Sequence, residues 1–232
     1  MLQEKLQLLL DKYAVTASAK LCEKDGEPAV EIDGTVYPIL AHRFERRFTE
    51  LRKMLGDGTL TGLSAVRDGN VQCTSVPLWS SVRREIDLCR YLCGEEPVSI
   101  AAYAVDRAVN LIVNMPSGVV CTLEVASTLP EGSTPIDKHE LIGSRGFICD
   151  RVVDTQVPQQ SIYLYADETE TYTDVDFELY GLSQDQVALV RTAFALVKDA
   201  SLREKALDDA AKTDRIVEAA RKSAADGKKV TL

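Results

Sequence analysis

The chain has 232 residues, 45% of them hydrophobic and 27% charged, which places it among soluble globular proteins of one large or two small domains. Its net charge of −9 argues against a sequence-independent grip on nucleic acid, which needs a basic face. No apolar run approaches the roughly 20 residues of a membrane span, and Met1-Leu2-Gln3-Glu4-Lys5 lacks the basic start of a signal peptide, so a cytoplasmic protein is expected.

In chain order, Leu2 to Tyr13 reads as an amphipathic helix with Leu2, Leu6, Leu9 and Leu10 on one stripe. Strands Ala19–Glu23, Pro28–Ile32 and Thr35–Leu40 follow, joined by Asp25-Gly26 and Asp33-Gly34 turns into a small meander. Phe44 to Leu55 has helical spacing at Phe44, Phe48, Leu51 and Leu55, and Gly56 and Gly58 stop it. Its neighbouring basic residues Arg43, Arg46, Arg47, Arg52 and Lys53 read as a solvated face. Leu63–Arg67 and Asn70–Ser75 read as a hairpin about an Asp68-Gly69 turn. Ser80 to Cys93 is a helix ended by Gly94.

From Pro97 the pattern turns to strands: Val98–Asp106, Asn110–Met115, a Pro116-Ser117-Gly118 turn, then Val119–Ser127. Lys138–Ile142, Gly146–Val153, Ser161–Tyr165 and Thr171–Phe177 follow. Short connections predict a mostly antiparallel sheet. Val119, Cys121, Leu123 and Val125 share a face that helices must cover. Ser183-Gln184-Asp185-Gln186 is a capping box opening a helix with Val187, Val190, Phe194 and Val197 inward. A second box, Ser201 to Glu204, opens a long helix to about Asp226, stopped by Gly227, and Lys228–Leu232 is a candidate last strand. The expected fold is α+β: a large, mostly antiparallel sheet with helices packed on one face.

Few residues carry obvious chemistry. The six cysteines read as free thiols; Cys89 and Cys93 lie on one helix without a second pair to complete a zinc site, so no metal is expected. His139 reads as a strand-edge or hydrogen-bonded histidine, and no nucleophile motif accompanies it or His42. Arg83 and Arg84 beside Trp79 form a cluster able to hold a carboxylate, a phosphate or a planar ligand. The alternative is a helix whose arginines pair with Glu85, Asp87 or solvent.

Several stretches together resemble the C-terminal domain of the Gfo/Idh/MocA oxidoreductases, the family of glucose–fructose oxidoreductase and inositol dehydrogenase. They are Ala41-His42-Arg43-Phe44 leading to Leu55-Gly56-Asp57-Gly58-Thr59-Leu60, Glu85-Ile86-Asp87-Leu88 leading to Gly94, and Asn110 to Glu124 through Ser117-Gly118. Ile142-Gly143-Ser144-Arg145-Gly146 and the helix from Arg215 to Ala224 complete the series. The resemblance runs from about His42 to the end. It implies a short helix-plus-meander extension over residues 1–40 and a second-domain-like α+β unit over 41–232.

The family binds NAD or NADP on a preceding Rossmann domain bearing G-x-G-x-x-G. About forty residues precede His42, too few for that domain. Gly56-x-Gly58-x-x-x-Gly62 has the wrong spacing and follows a helix, so it reads as a helix stop. The family's catalytic lysine lies in a Glu-Lys-Pro motif, whereas Glu23-Lys24 is followed by Asp25-Gly26. Its second-domain histidine aligns with Arg84 and the aspartate one turn earlier with Ser80; arginine is a poor proton shuttle. Asp87 alone carries over. No catalytic residue and no cofactor site is therefore expected in the isolated chain. Arg43, Trp79, Ser80, Arg84 and Asp87 are the candidate contacts for a small anionic or sugar-like ligand. The resemblance implies a non-catalytic binding or scaffold protein forming homo-oligomers through its sheet. The alternative is the substrate-side subunit of a split oxidoreductase, with NAD or NADP supplied by a separate Rossmann-domain protein; a fragment of a longer dehydrogenase is a third.

Overall fold

In the computed structural model, residues 1–150, 162–165, 169–172, 178–179 and 181–232 are described. They form two compact units, Met1–Thr49 with Val175–Lys212, and Glu50–Asp174 with Thr213–Leu232.

In the first unit, helix α1 (Leu2–Lys12) precedes strands β1 (Ala19–Lys24), β2 (Glu27–Ile32) and β3 (Thr35–Pro38), an antiparallel sheet of three strands. Both residues of each connecting turn, Asp25-Gly26 and Asp33-Gly34, have positive φ, the geometry that closes a tight hairpin without splaying its strands. A 3-10 turn follows at Ala41–Phe44. Phe44 is therefore exposed and outside helix α2 (Arg46–Gly56), whose apolar stripe begins at Phe48. The unit's core joins Leu6, Leu9 and Leu10 to Val30 and Ile32 and to Val190, Ala193 and Phe194 of helix α4 (Gln184–Lys198).

The capping box of α4 is complete: Ser183 Oγ accepts from the Gln186 amide, and Gln186 Oε1 accepts from the Ser183 amide at 3.1 Å. Ser183→Ala removes one of these bonds and should lower stability by about 1 kcal/mol, read as a shifted urea midpoint with unchanged slope. The box expected at Ser201 is absent. Helix α5 (Ala200–Asp226) begins two residues earlier than a Ser201 cap would place it, and the Asp199 carboxylate accepts from the Ser201 amide at 2.8 Å and hydroxyl at 2.7 Å. A carboxylate two residues upstream outcompeted the serine as the acceptor for the helix's free amides.

The second unit holds strands β4 (Ala65–Cys73), β5 (Ser99–Val105), β6 (Ala108–Asn114), β7 (Val120–Leu129), β8 (Ile136–Ile142), β9 (Phe147–Cys149), β10 (Ile162–Tyr165), β11 (Thr169–Tyr172) and β12 (Val230–Thr231). Among the described residues they form one nine-stranded sheet in the order β11-β10-β9-β8-β4-β7-β6-β5-β12. Every pairing is antiparallel except β4 with β7, which is parallel and joined through helix α3 (Leu78–Cys93) and the β5–β6 hairpin. The expected tail strand pairs with β5. Residues 151–161, on which part of the strand expected to run to Val153 falls, lie outside the described residues, as do 173–177 at the end of the one expected from Thr171.

The hairpin expected at Asp68-Gly69 does not exist. The chain runs extended through both residues as one strand, with Asp68 opposite His139 on β8 and Leu123 on β7. Asp-Gly favours a turn when the flanking segments pair with each other. Here β7 and β8 occupy both edges of β4, and tertiary pairing overrides the local preference.

Helix α3 and α5 from Thr213 onward cover one face of the sheet. Val82, Ile86 and Cys89 of α3 and Ile216, Val217 and Ala220 of α5 share a core with Val66, Leu111, Cys121 and Leu123. Gly94, at φ 73°, ends α3. Gly143 has no room for a side chain: a Cβ there would stand 2.6 Å from the Thr61 carbonyl oxygen. None of the six cysteines is in a disulfide. No helix among the described residues is long and apolar enough to cross a membrane.

Candidate functional site

Strand alternation sends Val66, Asp68 and Asn70 of β4 to the covered face of the sheet. Two of the three are polar and need partners there. β8 supplies them, because Asp68 lies opposite His139 and Asn70 opposite Asp137. α3 adds Arg84 and Glu85 from above, and Asp150 follows β9. The result is a buried charged cluster beneath α3, in which Asp68, Glu85, His139 and Asp150 are each less than 5% exposed.

His139 is its centre. Its Nδ1 lies 2.7 Å from Asp150 Oδ2, and its amide donates to Asp150 Oδ1 at 2.6 Å. Its Nε2 faces Glu85 Oε2 at 3.3 Å and Asp137 Oδ1 at 3.4 Å. The Asn70 side-chain amide donates to Glu85 Oε1 at 2.8 Å, and Gln72 holds Asn70 in turn at 2.9 Å. Arg84 bridges Glu85 and Asp137, with Nη2 2.9 Å from Asp137 Oδ2. Asp68 is the least satisfied member. One oxygen accepts from the Cys89 thiol at 3.5 Å, and the other has no hydrogen-bond partner among the described residues.

Four carboxyls thus face two cationic side chains. Burial alone would lower the imidazole's pKa, but the Asp150 and Asp137 carboxylates outweigh it and hold His139 well above 6.5. Burial would likewise raise Glu85, yet Arg84 and His139 keep its carboxyl below the usual range. For Asp68 burial wins, and the carboxyl is pushed up to about 8 despite the neighbouring imidazole. A histidine that is 0% exposed and enclosed by carboxylates is a poor base for an outside substrate. The donor set Asp68, Glu85 and His139, one atom from each within 4.8 Å of the others, is instead of the kind that holds a cation.

The residues singled out in the sequence fall into separate places. Arg84 belongs to the cluster. Asp87, on the same helix and fully buried, belongs to a second network, where its Oδ1 accepts from Arg90 at 2.9 Å and from Thr213 at 2.7 Å. Arg90 also grips Glu96 through two bonds of 2.7 Å. Trp79 is half-buried and stacks under Arg221, 4.2 Å from ring centre to guanidinium. Arg83 pairs with Asp214 at 2.6 Å. Ser80 is half-buried near the start of α3. Arg43 lies in the first unit, paired with Asp209. Thus both arginines of the Arg83–Arg84 pair are engaged by acidic side chains, and the arginine against the indole is Arg221. Asp68, Asn70, Glu85, Asp137, His139 and Asp150 escaped the sequence reading as a group. The one available signal was polar residues at alternate positions of a segment flanked by apolar ones.

No protein-family profile matches the chain, and no curated protein matches it in sequence. Solved structures do match in fold. An oxidoreductase from Agrobacterium radiobacter, in complex with NAD+, L-tartaric acid and magnesium, superposes with a TM-score of 0.66 at 14% identity, over 82% of this chain and 63% of its own. Myo-inositol 2-dehydrogenase from Lactobacillus plantarum gives 0.63 at 17% identity, over 83% and 63%. Scyllo-inositol dehydrogenase from Lactobacillus casei, with bound NAD(H) and scyllo-inositol, gives 0.59 at 15% identity, over 83% and 63%. The likeness is one of fold. The resemblance to Gfo/Idh/MocA-type oxidoreductases carried by the motifs therefore holds for the architecture. The chain spans less than two thirds of the length of each of these structures.

Proposed function

We propose that the chain acts as a non-catalytic binding or scaffold protein on an oxidoreductase-type fold, and that it self-associates through the outer face of its large sheet. The observation that carries the first half is the state of Arg84. The residue aligned with the family's proton-shuttling histidine is a guanidinium fixed between Glu85 and Asp137, and the nearby His139 is sealed from solvent. Neither group is placed to move a proton to or from a substrate.

The second half rests on the face pointing away from α3. Val105, Ala108, Ala126, Val71 and Ile136 are successive cross-strand partners, so their side chains make one apolar row across five strands. Val105 is 73% and Ile136 40% exposed at its ends. Such a row is self-complementary about a two-fold axis. Light scattering over a range of concentrations is expected to show a dimer or larger assembly. Val71→Lys and Ala126→Lys should each return it to a monomer with unchanged circular dichroism. A strict monomer at high concentration ends this reading.

A second reading has one observation in its favour: structures of the same fold were solved with NAD+ and with NAD(H), over longer chains. The chain would then be the substrate-side subunit beside a separate Rossmann-domain protein, with the partly exposed Arg84 as its candidate ligand contact. Co-purification of such a protein from the native host, with dinucleotide reduction by the pair alone, would replace the first reading with this one.

A further inference from the structure

We propose that Asp68, Glu85 and His139 form a binding site for one divalent transition-metal ion, sealed beneath α3 and independent of the sheet-face reading above. Acidic clusters on protein surfaces mean little, but these three donors are all buried. Burying several carboxyls together is costly unless a cation compensates them.

Three observations converge. First, Asp68 carries a carboxylate oxygen buried without a hydrogen-bond partner among the described residues, while a ligand atom from each of Asp68, Glu85 and His139 lies within 4.8 Å of the others. An oxygen left unpaired there is costly, and a cation would satisfy it.

Second, His139 is oriented as metal-bound histidines are. Nδ1 is engaged by Asp150 at 2.7 Å, which leaves Nε2 as the atom aimed at the acidic side chains. A carboxylate behind the ring fixes its rotation and makes the other nitrogen a better donor.

Third, the spacing of two of the donors fits a shared ion. Donors about 2.1 Å from one ion at tetrahedral angles stand about 3.4 Å apart, and His139 Nε2 lies 3.3 Å from Glu85 Oε2. Asp137 Oδ1, 3.4 Å from the same nitrogen and also accepting from Arg84, would be the fourth donor.

One imidazole with carboxylate oxygens suits transition ions such as Mn2+ and Zn2+, which accept a nitrogen donor beside oxygens, better than Ca2+ or Mg2+, which favour all-oxygen shells. Asp137 and Arg84 are each about one fifth exposed and mark the side from which an ion would enter.

The test is titration of chelator-treated, full-length protein with MnCl2, followed by calorimetry and thermal unfolding. Mn2+ is the deciding probe, because the free thiols would take up Zn2+ on their own account. The expected result is one saturable site and a rise of several degrees in Tm. Asp68→Asn and His139→Gln should each weaken Mn2+ binding at least tenfold. His42→Gln, outside the cluster, should leave it unchanged. Asp68→Asn decides the matter if His139→Gln fails to fold, since an amide fits where the carboxyl was. Absence of saturable Mn2+ binding by the wild type overturns the proposal. So does undiminished binding by Asp68→Asn.

Discussion

Replacing Arg90 with alanine is expected to destabilise the protein by about 3–5 kcal/mol, the usual cost of removing one partner from a buried ion pair. Arg90 is 4% exposed and Asp87 is 0% exposed. Without the guanidinium, the fully buried Asp87 carboxylate would lose its ion pair. Glu96, the other partner of Arg90, is half-exposed and would simply rehydrate. The loss therefore comes from Asp87. Arg90→Ala should lower the urea midpoint steeply, while Glu96→Ala should cost less than about 1 kcal/mol, as exposed pairs do. If the two variants unfold at the same denaturant concentration, the Asp87–Arg90 pair does not carry the cost its burial implies. Replacing Asp87 and Arg90 together by leucine and methionine should recover much of the loss, because no lone charge then remains.

Asp68→Asn is expected to do the opposite and stabilise the metal-free protein, by an amount that grows with pH. The Asp68 carboxyl titrates near 8 in the folded protein and near 3.8 when unfolded. Below pH 3.8 it is protonated in both states and imposes no penalty. Between pH 3.8 and 8 the folded state holds the proton that the unfolded state has released, so stability falls as pH rises. Above pH 8 the contribution is fully lost. An amide does not titrate and escapes this loss. Asp68→Asn and the wild type should therefore unfold alike near pH 4. By pH 8 they should differ by a few kcal/mol, with a shift of one pH unit corresponding to about 1.4 kcal/mol. His139 has a raised pKa too, so its contribution is present below 6.5 and is lost as pH rises through the higher folded value. The Asp68 carboxylate is one of the groups that raise His139, after Asp150 and Asp137, so part of the difference between the two proteins passes through the imidazole. Guanidinium unfolding at pH 4, 6 and 8 in the presence of chelator measures the difference. A wild type as stable as Asp68→Asn at pH 8 would show that the carboxyl is compensated by something other than its proton.

The two networks differ in how far the sequence discloses them. Asp87 and Arg90 are one helical turn apart, and their pairing follows from α3 alone. The cluster around His139 draws on β4, α3, β8 and the residue after β9, which only the sheet brings together. Local rules served well wherever the structure is local. The stripes of α1 and α4, the Asp-Gly turns of the meander and the Pro116-Ser117-Gly118 hairpin turn were all readable from spacing and turn chemistry. They failed at β4, where Asp68-Gly69 imitates a turn and the inward positions are polar. The same residues that hid the strand are the ones that build the site. A buried charged cluster erases the apolar alternation by which a buried strand is ordinarily found.

The position of β4 also bears on how the chain reaches its fold. Ala65 pairs with Val120 on one side and Ile142 on the other, so during synthesis this strand emerges with both edges bare and waits for partners made much later. An apolar strand in that position would be a template for sticking to neighbouring chains. Asp68, Asn70 and Arg67 make the waiting strand polar and charged, and a poor partner for itself. The carboxyl that costs stability in the finished protein is expected to guard the unfinished one: Asp68→Asn, though sturdier once folded, should aggregate more readily during refolding.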